Sequence, residues 1–230
     1  MKLIFRDDKS SPEVGLREAK DLVLREKVNL LAGTVVSSVA HAVSQFAKEQ
    51  KKIFIIDTSS DKAIMEENGH RYVFRATSGT RGMSYAMAYY VKDLPYTKYW
   101  IMGPDYAYGH SMGEMFVEKL KELKPGMTVL GESWPRFGTT DFTPYISAIM
   151  AAKPDAIYSS VWGADWVAWL KQAKPMGFHD KVVELGGEKA QIENLVPGGK
   201  DIPEGLIGGG FFAFWDPALT TDESKAYGLP

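Results

Sequence analysis

The chain repeats one pattern along most of its length: a short apolar run, a turn, then a segment whose apolar residues fall three and four apart. Such runs read as strands and such segments as helices. The runs are Leu3–Arg6, Val28–Ala32, Ile53–Ile56, Tyr72–Arg75, Tyr99–Met102, Thr128–Glu132, Ala156–Ser159, Val182–Leu185 and Leu206–Phe212. Strands too apolar to leave one face wet, alternating with helices, call for mostly parallel sheet with helices on both sides. The fold class is therefore α/β.

The helices carry their own signals. Ser11-Pro12-Glu13 supplies an N-cap, a first-turn proline and an early acid, with Leu16, Ala19 and Val23 following on one face. Val39, Val43 and Phe46 mark the next helix, and Met83, Met87, Tyr90 and Leu94 another. Met112, Met115, Phe116 and Leu120 define a further one. Trp166, Trp169, Leu170 and Ala173 define the next, which Pro175 and Gly177 stop. A small, flexible link at Ala76-Thr77-Ser78-Gly79 and a second at Gly208-Gly209-Gly210 suit a chain crossing between two lobes. The expected division is residues 1–77 in lobe one, 78–211 in lobe two, and 212–230 starting a return to lobe one.

Charge and composition exclude several classes. With 27 basic and 29 acidic side chains among 230 residues, the net charge is −2, and no basic run offers a surface to nucleic acid or an anionic membrane. The absence of cysteine rules out disulfides, thiol nucleophiles and thiolate metal ligands. No stretch approaches the ~20 apolar residues of a membrane span. Met1-Lys2-Leu3-Ile4-Phe5 is strand-like at once and lacks the layout of a signal peptide. Enzyme templates find no match. Gly198-Gly199-Lys200 lacks the spacing and hydroxyl of a phosphate loop, Gly208-Gly209-Gly210 lacks the third glycine of a dinucleotide site, and no G-x-S-x-G elbow occurs. His41, His70, His110 and His179 share no metal-ligand spacing. No cofactor is called for.

Polar groups cluster instead where strands end. Gly33-Thr34-Val35-Val36-Ser37-Ser38 follows one strand and opens a helix, so Ser37 or Ser38 can cap it beside free backbone N–H groups that favour a carboxylate. Capping alone would also explain the two serines. The next strand runs into Asp57-Thr58-Ser59-Ser60-Asp61, where Asp61 suits a helix N-cap and both acids should point away from any carboxylate or pair with bases. Gly103-Pro104-Asp105-Tyr106-Ala107-Tyr108-Gly109 places two tyrosines in a strand-to-helix loop, either facing a ligand or packed beneath it. Trp162, followed by Gly163, stands at a strand end outside the buried stripe of its helix. Glu188 follows Gly186-Gly187 and can receive an ammonium, although a solvated loop glutamate is the common fate of such a residue.

The order of these pieces resembles the type I periplasmic solute-binding proteins, and among them the leucine/isoleucine/valine-binding family of ABC uptake systems. Gly138-Thr139-Thr140-Asp141-Phe142 and Ala152-Lys153-Pro154-Asp155-Ala156 extend the likeness over essentially the whole chain. The resemblance implies two Rossmann-like lobes with a hinge, the first lobe incomplete, and a function of capture without catalysis. It implies that Ser37 and Ser38 bind a ligand carboxylate and that Ser59 and Ser60 touch both ends of an amino acid. Tyr108, Trp162 and Gly163 would face the cleft from the opposite lobe, and Glu188 would receive the α-ammonium. The implied partners are a small amino acid or carboxylate and a membrane permease, with the receptor a monomer in the periplasm or outside the cell. A ligand-sensing domain of a receptor or regulator shares this architecture, and a small α/β enzyme is the third option. Family members begin with a strand and helix upstream of residue 1 and continue past Pro230, so the chain reads as a fragment in which Leu3–Arg6 matches the second strand.

Overall fold

A computed structural model describes residues 2–209 as two parallel sheets with their helices. The smaller sheet has the order β1 (Leu30–Ala32), β2 (Ile53–Ile56) and β3 (Val73–Arg75). Helix α1 (Pro12–Leu24) is capped by the Ser11 hydroxyl, which accepts from the Val14 N–H at 3.4 Å. It packs on α2 (Ser37–Glu49) with no room to spare: a Cβ at Gly15 would stand 2.4 Å from Val39 Cγ1. Leu31, Phe54, Ile56 and Val73 bury their side chains with Ala19, Val39, Val43 and Phe46 of these helices.

The opposite face of that sheet is bare among the described residues. Leu30, Ile53, Ile55 and Phe74 are each more than a third exposed and adjoin one another through the registers Leu30–Ile53 and Ile55–Phe74. The expectation of helices on both sides therefore fails for this sheet, because α1 and α2 share one side. Leu3–Arg6 is likewise not a strand: among the described residues no neighbour offers it a ladder, Phe5 is 82% exposed, and Arg6 instead meets Asp21 and Glu26 across α1.

After β3 the chain crosses to a five-stranded sheet of order β5-β4-β6-β7-β8, where β4 is Lys98–Met102, β5 Thr128–Ser133, β6 Ala156–Ser159, β7 Val183–Gly186 and β8 Ile207–Gly208. Here both faces are covered. Tyr99, Ile101, Tyr158 and Leu185 pack under α3 (Thr80–Val91) and α4 (Ala107–Leu123). Met102 and Ile157 pack under α5 (Thr143–Ala152) and α6 (Gly163–Ala173), with Trp166 and Trp169 fully buried. The stripe of α3 departs from expectation. Tyr90 is 64% exposed, and the buried line runs Thr80, Ser84, Met87, Val91, because Ser84 hydrogen-bonds the Met112 carbonyl of α4 at 2.9 Å. Residues 210–212 of the expected last strand, and the return at 212–230, lie outside the described residues.

One charge interrupts the second face. Glu184 of β7 is 1% exposed and accepts from the indole N–H groups of Trp166 (2.8 Å) and Trp169 (3.1 Å), with His179 Nε2 2.8 Å away and Lys189 Nζ at 3.4 Å. Burial alone would raise its pKa. The ammonium of Lys189 and these hydrogen bonds outweigh burial and hold it down at about 2, from an ordinary 4.5. A carboxylate depressed in the folded state adds stability above its unfolded value and loses it as pH falls through the folded one. Urea midpoints should therefore drop between about pH 4.5 and 2, with part of that drop absent in Glu184→Gln.

Candidate functional site

Parallel strands deliver all their following loops to one edge, and in the larger sheet that edge contains a reversal. From β4 the chain steps outward to β5 and then returns to the other side of β4 as β6, so the loops after β4 and β6 diverge and leave a crevice at their carboxyl ends. The loop after β4 carries Tyr106 and Tyr108, the loop after β6 carries Trp162 and Gly163, and the loop after β7 carries Glu188. The smaller sheet presents its own strand-end loops opposite. A cavity of about 180 Å³ between them is lined by Val35, Thr58 and Ser60 from the smaller sheet, and by Tyr106, Tyr108, Trp162, Glu188, Gln191 and Asn194 from the larger.

Its larger wall is aromatic. Trp162 stacks on Phe137 (centroids 5.3 Å apart, planes at 25°) and donates its indole N–H to the Tyr106 hydroxyl at 2.9 Å. Tyr106 stacks in turn on Tyr108, with centroids 5.9 Å apart. Burial pushes both phenols far above their usual range, and the negative charge of Glu188 pushes in the same direction, so they remain hydrogen-bond donors at any physiological pH. Among the described residues the buried Gln191 Nε2 has no hydrogen-bond partner and borders the cavity, where the buried Tyr108 hydroxyl lies beside Glu188. Buried polar atoms are rarely left in that state without a function.

Four of the expected residues, Ser60, Tyr108, Trp162 and Glu188, share this cavity; Ser37, Ser38, Ser59 and Gly163 stand behind it. Ser37 and Ser38 are the first two residues of α2 rather than its cap, which is Val36; a valine has no side-chain acceptor, so the first-turn N–H groups receive no side-chain bond. The Ser37 hydroxyl accepts from the Asp61 N–H at 3.4 Å, and Ser38 is half-buried. Ser59 donates to the Thr34 carbonyl at 2.7 Å and so ties the two loops of the smaller sheet together. Ser60 is held through its backbone, its carbonyl accepting from Thr80 N at 2.7 Å and Arg75 Nη1 at 3.1 Å. Asp61 caps the 3-10 turn Lys62–Ile64 and meets His41 at 2.5 Å, while Asp57 is exposed. Gly163 takes φ +59° at the start of α6 and donates its N–H to Asn194 Oδ1 at 2.8 Å.

Sequence reasoning noted both tyrosines of the loop after β4 but carried only Tyr108 to the site, and it passed over Gln191 and Asn194. Tyr106 shares its loop with Tyr108, and a second tyrosine at a strand end was the available signal. Gln191 and Asn194 reach the cavity because α7 (Ile192–Gly198) folds back over the Glu188 loop, where Asn194 Nδ2 donates to the Glu188 carbonyl at 2.6 Å. No spacing in the chain announces that return. Among the described residues no cluster of His, Asp and Glu could hold a metal ion.

The family model described as periplasmic binding protein matches residues 1–228. Among solved structures, a leucine binding protein from Thermotoga maritima is 24% identical, with a TM-score of 0.84 over 98% of this chain and 63% of that one. An ABC transporter substrate-binding protein from Sphaerobacter thermophilus is 24% identical, with a TM-score of 0.81 over 98% and 61%. A solute-binding protein from Rhodopseudomonas palustris, solved with 4-hydroxybenzoate, is 20% identical, with a TM-score of 0.82 over 97% and 60%. The chain spans about half the length of the first of the solved structures it matches. No curated protein matches it.

The bond between Trp162 and Tyr106 offers a direct check on the aromatic wall. Tyr106→Phe keeps the ring but strips the acceptor from a desolvated indole N–H, and should lower unfolding free energy by about 1–3 kcal/mol in urea titration. Quenching of tryptophan fluorescence by acrylamide should rise in the same variant as Trp162 loosens.

Proposed function

The chain belongs to the periplasmic binding protein family, and on that premise we propose that it is the solute-capturing part of an ABC uptake system, taking a small amino acid or carboxylate without altering it. The supporting observation is the cavity itself. Loops from two sheets meet there, and one wall holds a carboxylate, an unsatisfied buried amide nitrogen and a stack of aromatic rings. The other wall holds Val35 and two hydroxyl residues, Thr58 and Ser60, with the start of α2 two residues beyond Val35.

In this reading the two sheets belong to lobes joined at residues 76–79, while Gly208 and Gly209, expected as a second link, are bonded to β7 and the loop after it in the larger sheet. The guest settles against Trp162 and Tyr106, whose rings accept an apolar side chain. Glu188 pairs with an ammonium, while Ser60 and the first turn of α2, beside Ser37 and Ser38, receive a carboxylate. Closure of the lobes then removes water, which strengthens each of these contacts and gives a permease one shape to recognise. The periplasm is the compartment that goes with this role. Names among the solved structures include a leucine binding protein and a complex with 4-hydroxybenzoate, so amino acids and aromatic carboxylates are the ligands to try first.

Calorimetry with L-leucine, L-phenylalanine and 4-hydroxybenzoate tests the assignment. Removing the charge from a desolvated ion pair costs about 2–5 kcal/mol. Glu188→Gln should thus weaken the amino acids at least about tenfold and leave 4-hydroxybenzoate, which has no ammonium, nearly unchanged. Equal affinity of both proteins for L-leucine would remove Glu188 from the site, and no binding by any probe would defeat the capture reading.

A further inference from the structure

The loop that carries Glu188 is held from beneath by the next residue. Lys189 is 1% exposed. Its ammonium donates to the Val161 carbonyl, lies 3.3 Å from Ser159 Oγ and 3.4 Å from Glu184 Oε1, and stands 4.8 Å from the Trp166 ring centroid. The stem threads between two glycines. A Cβ at Gly186 would come within 2.5 Å of Lys189 Cγ and Cε, and one at Gly208 within 2.8 Å of its Cβ, so β7 and β8 are both bare where the lysine passes.

The contacts of Lys189 join two particular places. Val161 immediately precedes Trp162, and Lys189 immediately follows Glu188, so the bond between them links the aromatic turn to the acidic loop. Asn194 makes a second link in parallel, accepting from Gly163 N at 2.8 Å and donating to the Glu188 carbonyl at 2.6 Å. Lys189 supplies the main counter-charge of Glu184, which also receives Trp166, Trp169 and His179, but the ammonium reaches past that carboxylate to a second partner. What those three partners do not supply is a connection to Val161.

We propose that Lys189 is a positioning residue of the cleft: bonded to the Val161 carbonyl and paired with Glu184, it fixes the Glu188 loop at the separation from Trp162 that lets carboxylate and indole face one guest. The inference rests on the capture reading for the role of Glu188. The titratable groups around the ammonium among the described residues are Glu184 on β7, Glu188 on its own loop, and His179, which meets Glu184 from the segment entering β7. Trp166 on α6 and Ser159 and Val161 at the end of β6 face it uncharged. Burial pulls the ammonium down to about 8, against the upward pull of the two carboxylates. Raising the pH through that value removes the proton and with it the charged link.

The test compares the unaltered chain with Lys189→Met and with the double variant Glu184→Gln/Lys189→Met, which removes both buried charges and so avoids an unpaired Glu184. Calorimetry with L-leucine and hydrogen exchange of segments 160–164 and 187–191 are the readouts. Lys189→Met should weaken L-leucine at least about tenfold and abolish the loss of affinity that the unaltered chain shows above about pH 8. The double variant should regain thermal stability but not affinity, with both segments still exchanging faster than in the unaltered chain. A double variant that recovers affinity and slow exchange would overturn the proposal, because the lysine would then serve only to balance Glu184. If Glu188→Gln loses L-leucine while both Lys189 variants keep it, the positioning role fails and capture stands. If the unaltered chain does not bind L-leucine, capture of amino acids fails, and unchanged exchange in the double variant would separately remove the link.

Discussion

Parallel pairing imposes the rest of this structure. When every strand runs the same way, each must be followed by a crossover, and all crossovers leave from one edge. Polar loop residues and helix N-termini accumulate along that edge without any further instruction. In the larger sheet the reversal between β5 and β6 spreads two of those crossovers apart, and the gap falls beside β4, between the tyrosine loop and Trp162. The smaller sheet brings its own edge to the same gap through Val35, Thr58 and Ser60. The cavity is thus a product of topology, and side chains then decide its chemistry.

Holding that cleft in shape falls to polar groups set just behind it. Ser59 closes the two loops of the smaller sheet on each other, and Arg75 and Thr80 hold the Ser60 carbonyl. Thr80 also receives the Lys62 N–H at 3.0 Å and stands 2.7 Å from Ser111 of α4, so one threonine joins the smaller sheet's loop to the helices of the larger. Across the gap, Asn194 and Lys189 hold the acidic loop to the tryptophan turn. Ser59, Thr80 and Asn194 suit this task because each is short and bonds backbone directly, with few rotamers left to order.

The sequence was most legible where a single physical cause dominates. Ile53–Ile56 and Ala156–Ser159 are strands over the expected spans because short, mostly apolar runs between turns have little else to become. Ser60, Tyr108, Trp162 and Glu188 line one cavity because each follows a strand, and the loops after parallel strands gather at one edge. Legibility ended where a partner far along the chain decides. Leu3–Arg6 has the composition of a strand and no ladder to join. In α3 the buried line shifted from Met83 and Tyr90 to Thr80 and Ser84, since hydroxyls that find acceptors on α4 bury as readily as methyl groups. Asn194 became part of the site only through the return of α7, and Glu184 within an apolar strand was the one local hint of a buried charge cluster.

Glu188 lines one wall of the cavity and Val35, two residues before the start of α2, lines the other, so under the proposed capture role the gap has an electrical direction. A visitor bearing one charge of each sign is favoured at both ends in a single alignment and opposed at both when turned around. The two halves would in that case act as a polarity gate, sorting molecules by the sense of their dipole before any side chain is measured against the rings.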